Sequence, residues 1–113
     1  AVQAMGEAYS LVRRFGVAPQ VLHDVMTEGL FSAPAYKVYG RIMADEAYDS
    51  VGFTTRLALK DMSLVLAAGD MARVPLPSAS LLRDRLLAAI AHGDADRDWA
   101  VLAREQARTA GLE

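Results

Sequence analysis

Lys60 and Asp61 stand side by side in an otherwise apolar run, with Phe53 upstream in the segment Gly52-Phe53-Thr54-Thr55-Arg56-Leu57-Ala58-Leu59-Lys60-Asp61. An ammonium group can hold a polar or anionic part of a cofactor. A carboxylate can orient reacting groups or move a proton. A phenyl ring can keep water from a reacting pair. Helical spacing decides how these groups lie. At about 100° per residue from Leu57, Ala58, Leu59, Met62, Leu64, Val65, Leu66 and Ala68 fill a wide apolar arc. Arg56, Ser63 and Asp70 make a narrow polar arc, with Lys60 at its edge, whereas Asp61 falls inside the apolar arc. So apolar a helix is expected to be mostly buried. A buried carboxylate costs roughly several kcal/mol unless it is paired or hydrogen-bonded, so Asp61 is expected to have a partner.

Each of the three residues also has a plainer reading. Asp61 fits a structural carboxylate tied to an arginine or a helix N-terminus. Lys60 fits a surface lysine whose stem covers apolar neighbours. Phe53 fits a core residue beside a helix start. The other reactive types carry less. His92 precedes Gly93 at a helix end, where partial positive charge suits the dipole, and His23 lies mid-helix beside Asp24. Neither has a second ligand at metal-binding spacing, so no metal site is expected. Tyr36 and Tyr39 share a helix side and read as packing residues. Ser10, Ser32, Ser63, Ser78 and Ser80 sit in no nucleophile-elbow context. Gly-x-Gly-x-x-Gly is absent, so these residues hold no dinucleotide phosphate loop of that kind.

The elements that must position Phe53, Lys60 and Asp61 are read from periodicity and punctuation. Val2, Met5, Tyr9, Val12 and Phe15 predict a helix over 1–15, ended by Gly16 as a left-handed cap. It starts without an N-cap, with the apolar pattern already running, as expected of a fragment of a longer protein. A second helix starts near Pro19 and stops at Gly29, with Val21, Leu22, Val25 and Met26 inward. A third, capped by Ser32 with Pro34 in its first turn, runs to about Ala44. Residues 45–52 read as a loop. The fourth and central helix runs from about Thr54 to Ala72, broken by Pro75 and Pro77. A fifth spans about 78–92 and carries Leu81, Leu82, Leu86, Ala89 and Ile90. A sixth spans about 97–110 and buries Trp99, Leu102, Ala103 and Ala107. The expected class is all-α: one domain, residues 1–113, with about six helices around a buried central one.

Composition sets further bounds. At 113 residues the chain can bury a real core. Hydrophobic residues make up 53%, enough that some apolar surface is expected to meet another subunit or domain. Net charge is −2, and the C-terminal arginines alternate with acids, which reads as a mixed, solvated surface rather than a nucleic-acid footprint. There is no cysteine, hence no disulfide or thiolate chemistry here, which fits a cytoplasmic protein. No apolar run reaches the length of about 20 residues needed to span a membrane.

Phe53 followed by Leu59-Lys60-Asp61 resembles the C-terminal domain of the β-hydroxyacid dehydrogenases, the 3-hydroxyisobutyrate dehydrogenase and tartronate semialdehyde reductase group related to 6-phosphogluconate dehydrogenase. The likeness continues in order along nearly the whole chain. Glu7-Ala8 with Phe15-Gly16-Val17 is similar to the end of the family's long interdomain helix. Ser32-Ala33-Pro34, Arg41-Ile42-Met43 and Gly52-Phe53 follow its usual succession. Pro75, His92-Gly93 and Asp98-Trp99 through Ala110-Gly111-Leu112 fit its last helices.

The resemblance implies an NAD- or NADP-dependent oxidoreductase passing a hydride to or from a small β-hydroxy acid. It implies that Lys60 contacts the nicotinamide end of the cofactor and that Phe53 and Asp61 line the substrate site. The family's catalytic lysine and its companion asparagines are expected upstream of Ala1, so no catalytic residue is assigned in this chain, which alone is expected to be inactive. The cofactor's Rossmann fold is expected in a separate N-terminal domain, with a homodimer or higher assembly as the working form. Two rivals stand beside this reading. One is an imine reductase-type domain of the same architecture. The other is a non-enzymatic helical dimerisation or ligand-binding module, in which Asp61 is structural.

Overall fold

Proline and threonine set where the helices begin. The computed structural model describes residues 1–112. In it Pro19, Pro34 and Pro77 open α2 (Pro19–Glu28), α3 (Pro34–Asp45) and α5 (Pro77–Ala91). A proline there gives up only an N–H that would have had no helical partner. α1 is Val2–Arg14, α4 is Thr55–Ala72, and α6 is Leu102–Thr109, entered through a 3₁₀ turn at Trp99–Val101. Gly16 follows α1 at φ 75°, the left-handed conformation that terminates a helix cheaply only without a Cβ. α3 is capped differently from the sequence expectation: its N-cap is Ala33, with no side-chain hydrogen bond, and Ser32 stays exposed.

The six helices of the all-α expectation are present, and the described residues hold no strand beyond one isolated bridge between Thr54 and Asp98. α1 lies along α6, α4 along α5, and the α2–α3 hairpin closes against α1. The 3₁₀ turn sits between α3, α4 and α6 and contributes Ala100 and Val101, both fully buried, to the core. Val2, Met5 and Tyr9 of α1, Met43 and Ala44 of α3, Leu86 and Ala89 of α5 and Leu102 and Ala103 complete it. α1 approaches α6 closely because Gly6 faces Ala103: a Cβ on Gly6 would lie 3.0 Å from the Ala103 Cα.

Three further sequence expectations change. The fourth helix is neither central nor mostly buried. Within α4 only Thr55, Ala58 and Gly69 are buried, while Leu57, Leu64, Val65 and Met71 are exposed. Its apolar arc is wide because one half packs on the core and the other half is left open. In α2 the inward residues are Leu22, His23 and Met26, with Val21 and Val25 exposed, and Leu81 of α5 also points outward. Finally, the C-terminal acids are not all solvated. Asp94, Asp98 and Glu105 are buried. Asp94 pairs with Arg97, Arg104 and Arg108 at 3.1, 3.5 and 3.0 Å, and Glu105 with His92 and Arg108 at 2.8 and 3.0 Å. Buried carboxylates need such partners, and the arginines read as surface charge in the sequence supply them.

Tyr9 is buried beside Gly40 and His23, and its hydroxyl has no hydrogen-bond partner among the described residues. Burial pushes its pKa up to about 12, Arg41 pulls it down, and Asp45 and Asp24 push it up.

Candidate functional site

The start of α4 is built from two distant segments. Thr54 caps the helix, its hydroxyl accepting from the Leu57 N–H at 3.2 Å. The Thr55 N–H and hydroxyl both donate to the Arg97 carbonyl, at 2.9 and 3.1 Å, and the Arg56 N–H donates to the Ala95 carbonyl at 3.0 Å. The Trp99 N–H donates to the Phe53 carbonyl at 2.8 Å, and the Asp98 N–H to the Tyr48 carbonyl at 2.9 Å. Residues 95–99 thus run beside 53–56 like a short strand pair.

Asp98 closes this junction and is the residue that sequence reading missed. Its side chain is fully buried. One carboxylate oxygen accepts from the Gly52 and Phe53 N–H groups at 3.0 and 3.2 Å, and the other from the Ala100 N–H at 2.8 Å, capping the 3₁₀ turn. Three amide donors aimed at one carboxylate offset the cost of burying its charge. The signal was present: an aspartate directly before the apolar Trp99-Ala100-Val101-Leu102 run is an N-cap pattern.

Phe53 is half-buried, and its ring meets Trp99 edge to face, with centroids 5.7 Å apart and planes at 89°. Tyr39 meets the same indole at 5.3 Å and 85°. Trp99 therefore ties α3, the loop before α4 and the 3₁₀ turn into one aromatic wall.

Lys60 and Asp61 lie further along α4, roughly 9 Å of helical rise beyond Thr54 for Lys60. Lys60 is exposed and Asp61 half-buried. The α4 residues packed inward are Thr55, Ala58, Leu59, Met62, Leu66 and Gly69, so at about 100° per residue Lys60 points away from the core and Asp61 sits at the boundary. Leu57, Leu64 and Ala68 form an exposed apolar strip between them. The partner expected for Asp61 does not exist among the described residues: neither it nor Lys60 makes an ion pair or a side-chain hydrogen bond. Half-burial at the helix edge leaves the Asp61 carboxylate in reach of solvent, so the cost that would have demanded a partner never arises. Of the plainer readings, a tied-down Asp61 falls away, whereas Lys60 is exposed as a surface lysine would be and Phe53 packs against the core cluster.

The arrangement is a cation and a carboxylate on the exposed side of α4, with an aromatic wall beside the start of that helix. It has no nucleophile–base pair and no phosphate-cradling loop, and no cluster of three or more metal-ligating side chains occurs among the described residues. An apolar hollow of about 260 Å³ between α1, α2 and the start of α3 is lined by Met5, Met26, Phe31 and Tyr36 among others, and by none of the three candidates. No described helix is long and apolar enough to cross a membrane.

Residues 1–105 match the family described as NAD-binding of NADP-dependent 3-hydroxyisobutyrate dehydrogenase. The chain belongs to this family. It is 33% identical over 101 residues to an uncharacterised oxidoreductase of Bacillus subtilis, covering 89% of this chain and 35% of that protein. It is 26% identical over 99 residues to glyoxylate/succinic semialdehyde reductase 2, chloroplastic, of Arabidopsis thaliana, covering 88% of this chain and 27% of that one. In fold it matches a crystal structure of 3-hydroxyisobutyrate dehydrogenase from Salmonella typhimurium with TM-score 0.83 at 24% identity, over 91% of this chain and 36% of that chain. The chain thus spans about a third of the length of these relatives. The family and fold expected from the Phe53 to Asp61 segment and the ordered motifs around it are both met.

Proposed function

We propose that this chain is the helical domain of a two-domain NAD(P)-dependent reductase acting on a small β-hydroxy acid or the matching semialdehyde. A nucleotide-binding domain would face α4 across a cleft. The observation that carries this reading is the outward face of α4, where Lys60 and Asp61 both lack a partner among the described residues, in a family of NAD-binding domains.

When bound, nicotinamide supplies or accepts the hydride that interconverts carbonyl and alcohol. The chain's own residues frame that step. The exposed ammonium of Lys60 suits the polar nicotinamide end of a dinucleotide. The Asp61 carboxylate, at the helix edge, orients the reacting groups through charge. Phe53, backed by Trp99, forms an apolar rim that sheds water when the cleft closes. The described residues offer no phosphate cradle, so they fit the nicotinamide end of the cofactor and not its pyrophosphate. The exposed strip of Leu57, Leu64 and Met71, with Leu11, Phe15 and Leu30 elsewhere, supports burial against the second domain and a second subunit.

The test is turnover by the longer protein of 3-hydroxyisobutyrate, glyoxylate and succinic semialdehyde with NAD(H) and NADP(H). Turnover of at least one pair is expected, together with none by the 113-residue chain alone. No turnover by the longer protein, or turnover by the chain alone, sinks the proposal. Light scattering checks the assembly, for which a strictly monomeric longer protein is the contrary result.

A further inference from the structure

Two of the three amides that Asp98 holds belong to residues at the edge of the candidate site, more than forty positions away in sequence. Asp98 holds the Phe53 N–H, its own main chain pairs with Thr54, and the next residue, Trp99, takes the Phe53 carbonyl and the Phe53 ring. Phe53 is therefore gripped at its N–H, its carbonyl and its ring by two consecutive residues. Val51 and Gly52, just before it, are exposed.

We propose that Asp98 is a positioning residue. It fixes the Phe53 ring, and with it the apolar rim of the substrate site, by clamping the Gly52 and Phe53 amides. This rests on the reading of Phe53 as a residue lining that site.

The residue type argues for more than a cap. Capping the Ala100 N–H needs one acceptor, and serine, threonine or asparagine supplies it. Clamping two further amides needs a second oxygen that also only accepts, which an ionised carboxylate has and the other three lack. Asparagine would aim its NH₂ either at the Gly52 and Phe53 donors or at the Ala100 donor. Serine would keep the cap and be too short to reach the loop. The two substitutions thus weaken the clamp by different routes, and Asp98→Ser retains the contact that the fold needs at the 3₁₀ turn.

The experiment uses the longer protein, assayed with NADP⁺ and 3-hydroxyisobutyrate and with NADPH and succinic semialdehyde, for Asp98→Asn, Asp98→Ser, Phe53→Ala and the Asp98→Ser/Phe53→Ala pair. A loosened rim is expected to raise the KM of the small substrate roughly tenfold in both Asp98 variants while the dinucleotide KM stays put. The double variant is expected to be no worse than Phe53→Ala alone, since the clamp then has nothing left to position. A purely structural Asp98 would instead lower the active fraction, and so kcat, with the KM of the surviving enzyme unchanged; that result overturns the proposal, as does full additivity in the double variant. Parental kinetics in Asp98→Ser beside a damaged Phe53→Ala removes the positioning role and leaves the site reading standing. Parental kinetics in Phe53→Ala, or no turnover of either pair by the parent, removes both.

Discussion

Gly6→Ala sets two known effects against each other at the crossing of α1 and α6. Alanine is the better helix former, worth about 1 kcal/mol over glycine in a helix interior. The added methyl would lie 3.0 Å from the Ala103 Cα, 3.4 Å from its N and 3.5 Å from its Cβ. The two closest atoms are backbone, in the first turn of α6, where Leu102, Ala103, Glu105 and Ala107 are all buried. They cannot rotate aside as a side chain end would, so the helices must part by a few tenths of an ångström along one of the two most extensive helix contacts of the fold. Overpacking of that kind costs about 1–3 kcal/mol. Set against the propensity gain, a net loss of about 1 kcal/mol, and at most about 2 kcal/mol, is expected, read as a drop in Tm of roughly 4 °C, and at most about 8 °C, for a chain of this size. Urea and thermal unfolding of the variant beside the parent measure it. Because backbone atoms make the clash, adding Ala103→Gly is expected to give little or no rescue. An unchanged or higher Tm in Gly6→Ala, or full recovery in the double variant, would refute the account of this crossing.

Three further outcomes follow from single residues. Tyr9 has its pKa raised to about 12 from an ordinary 10, so the neutral phenol is favoured by the fold; its contribution is complete below pH 10 and is lost as pH rises from there through about 12. The shift caps the loss at roughly 3 kcal/mol, and Tyr9→Phe, which removes a hydroxyl unpartnered among the described residues, should unfold with a flatter profile above pH 10 at no cost near neutrality. Thr54→Ala removes the N-cap of α4 and should cost about 1 kcal/mol in urea unfolding, an unchanged midpoint counting against the cap. Lys60→Ala and Asp61→Ala should each change stability by less than about 0.5 kcal/mol, as neither has a partner to orphan, while in the longer protein the first raises the dinucleotide KM and the second lowers kcat; parental kinetics in both would end the site assignment.

Much of the helix count and placement was legible because the elements announce their own ends. Pro19, Pro34 and Pro77 start helices, Gly16, Gly29 and Gly93 follow them, and the apolar spacing between is local information. Which side of a helix faces inward was less legible. A wheel drawn for α4 gives one broad apolar arc and cannot distinguish a buried helix from one whose two apolar halves serve different neighbours; only the packing of α5 and the 3₁₀ turn against one side of α4 divides the arc. The same limit explains the two aspartates. Asp61 looked buried because its wheel neighbours are apolar, yet it lies at the edge and needs no partner. Asp98 looked solvated because it sits in an alternating charge run, yet the fold drives it into the junction where residues 52–56 meet 95–100. Sequence neighbours misjudged each environment: α5 covers only one side of α4 and leaves Asp61 at the edge, while contacts more than forty positions away bury Asp98. Asp98 also links the two levels of the argument, since the buried carboxylate that terminates a loop in the fold is the one that sets where Phe53 stands at the edge of the candidate site.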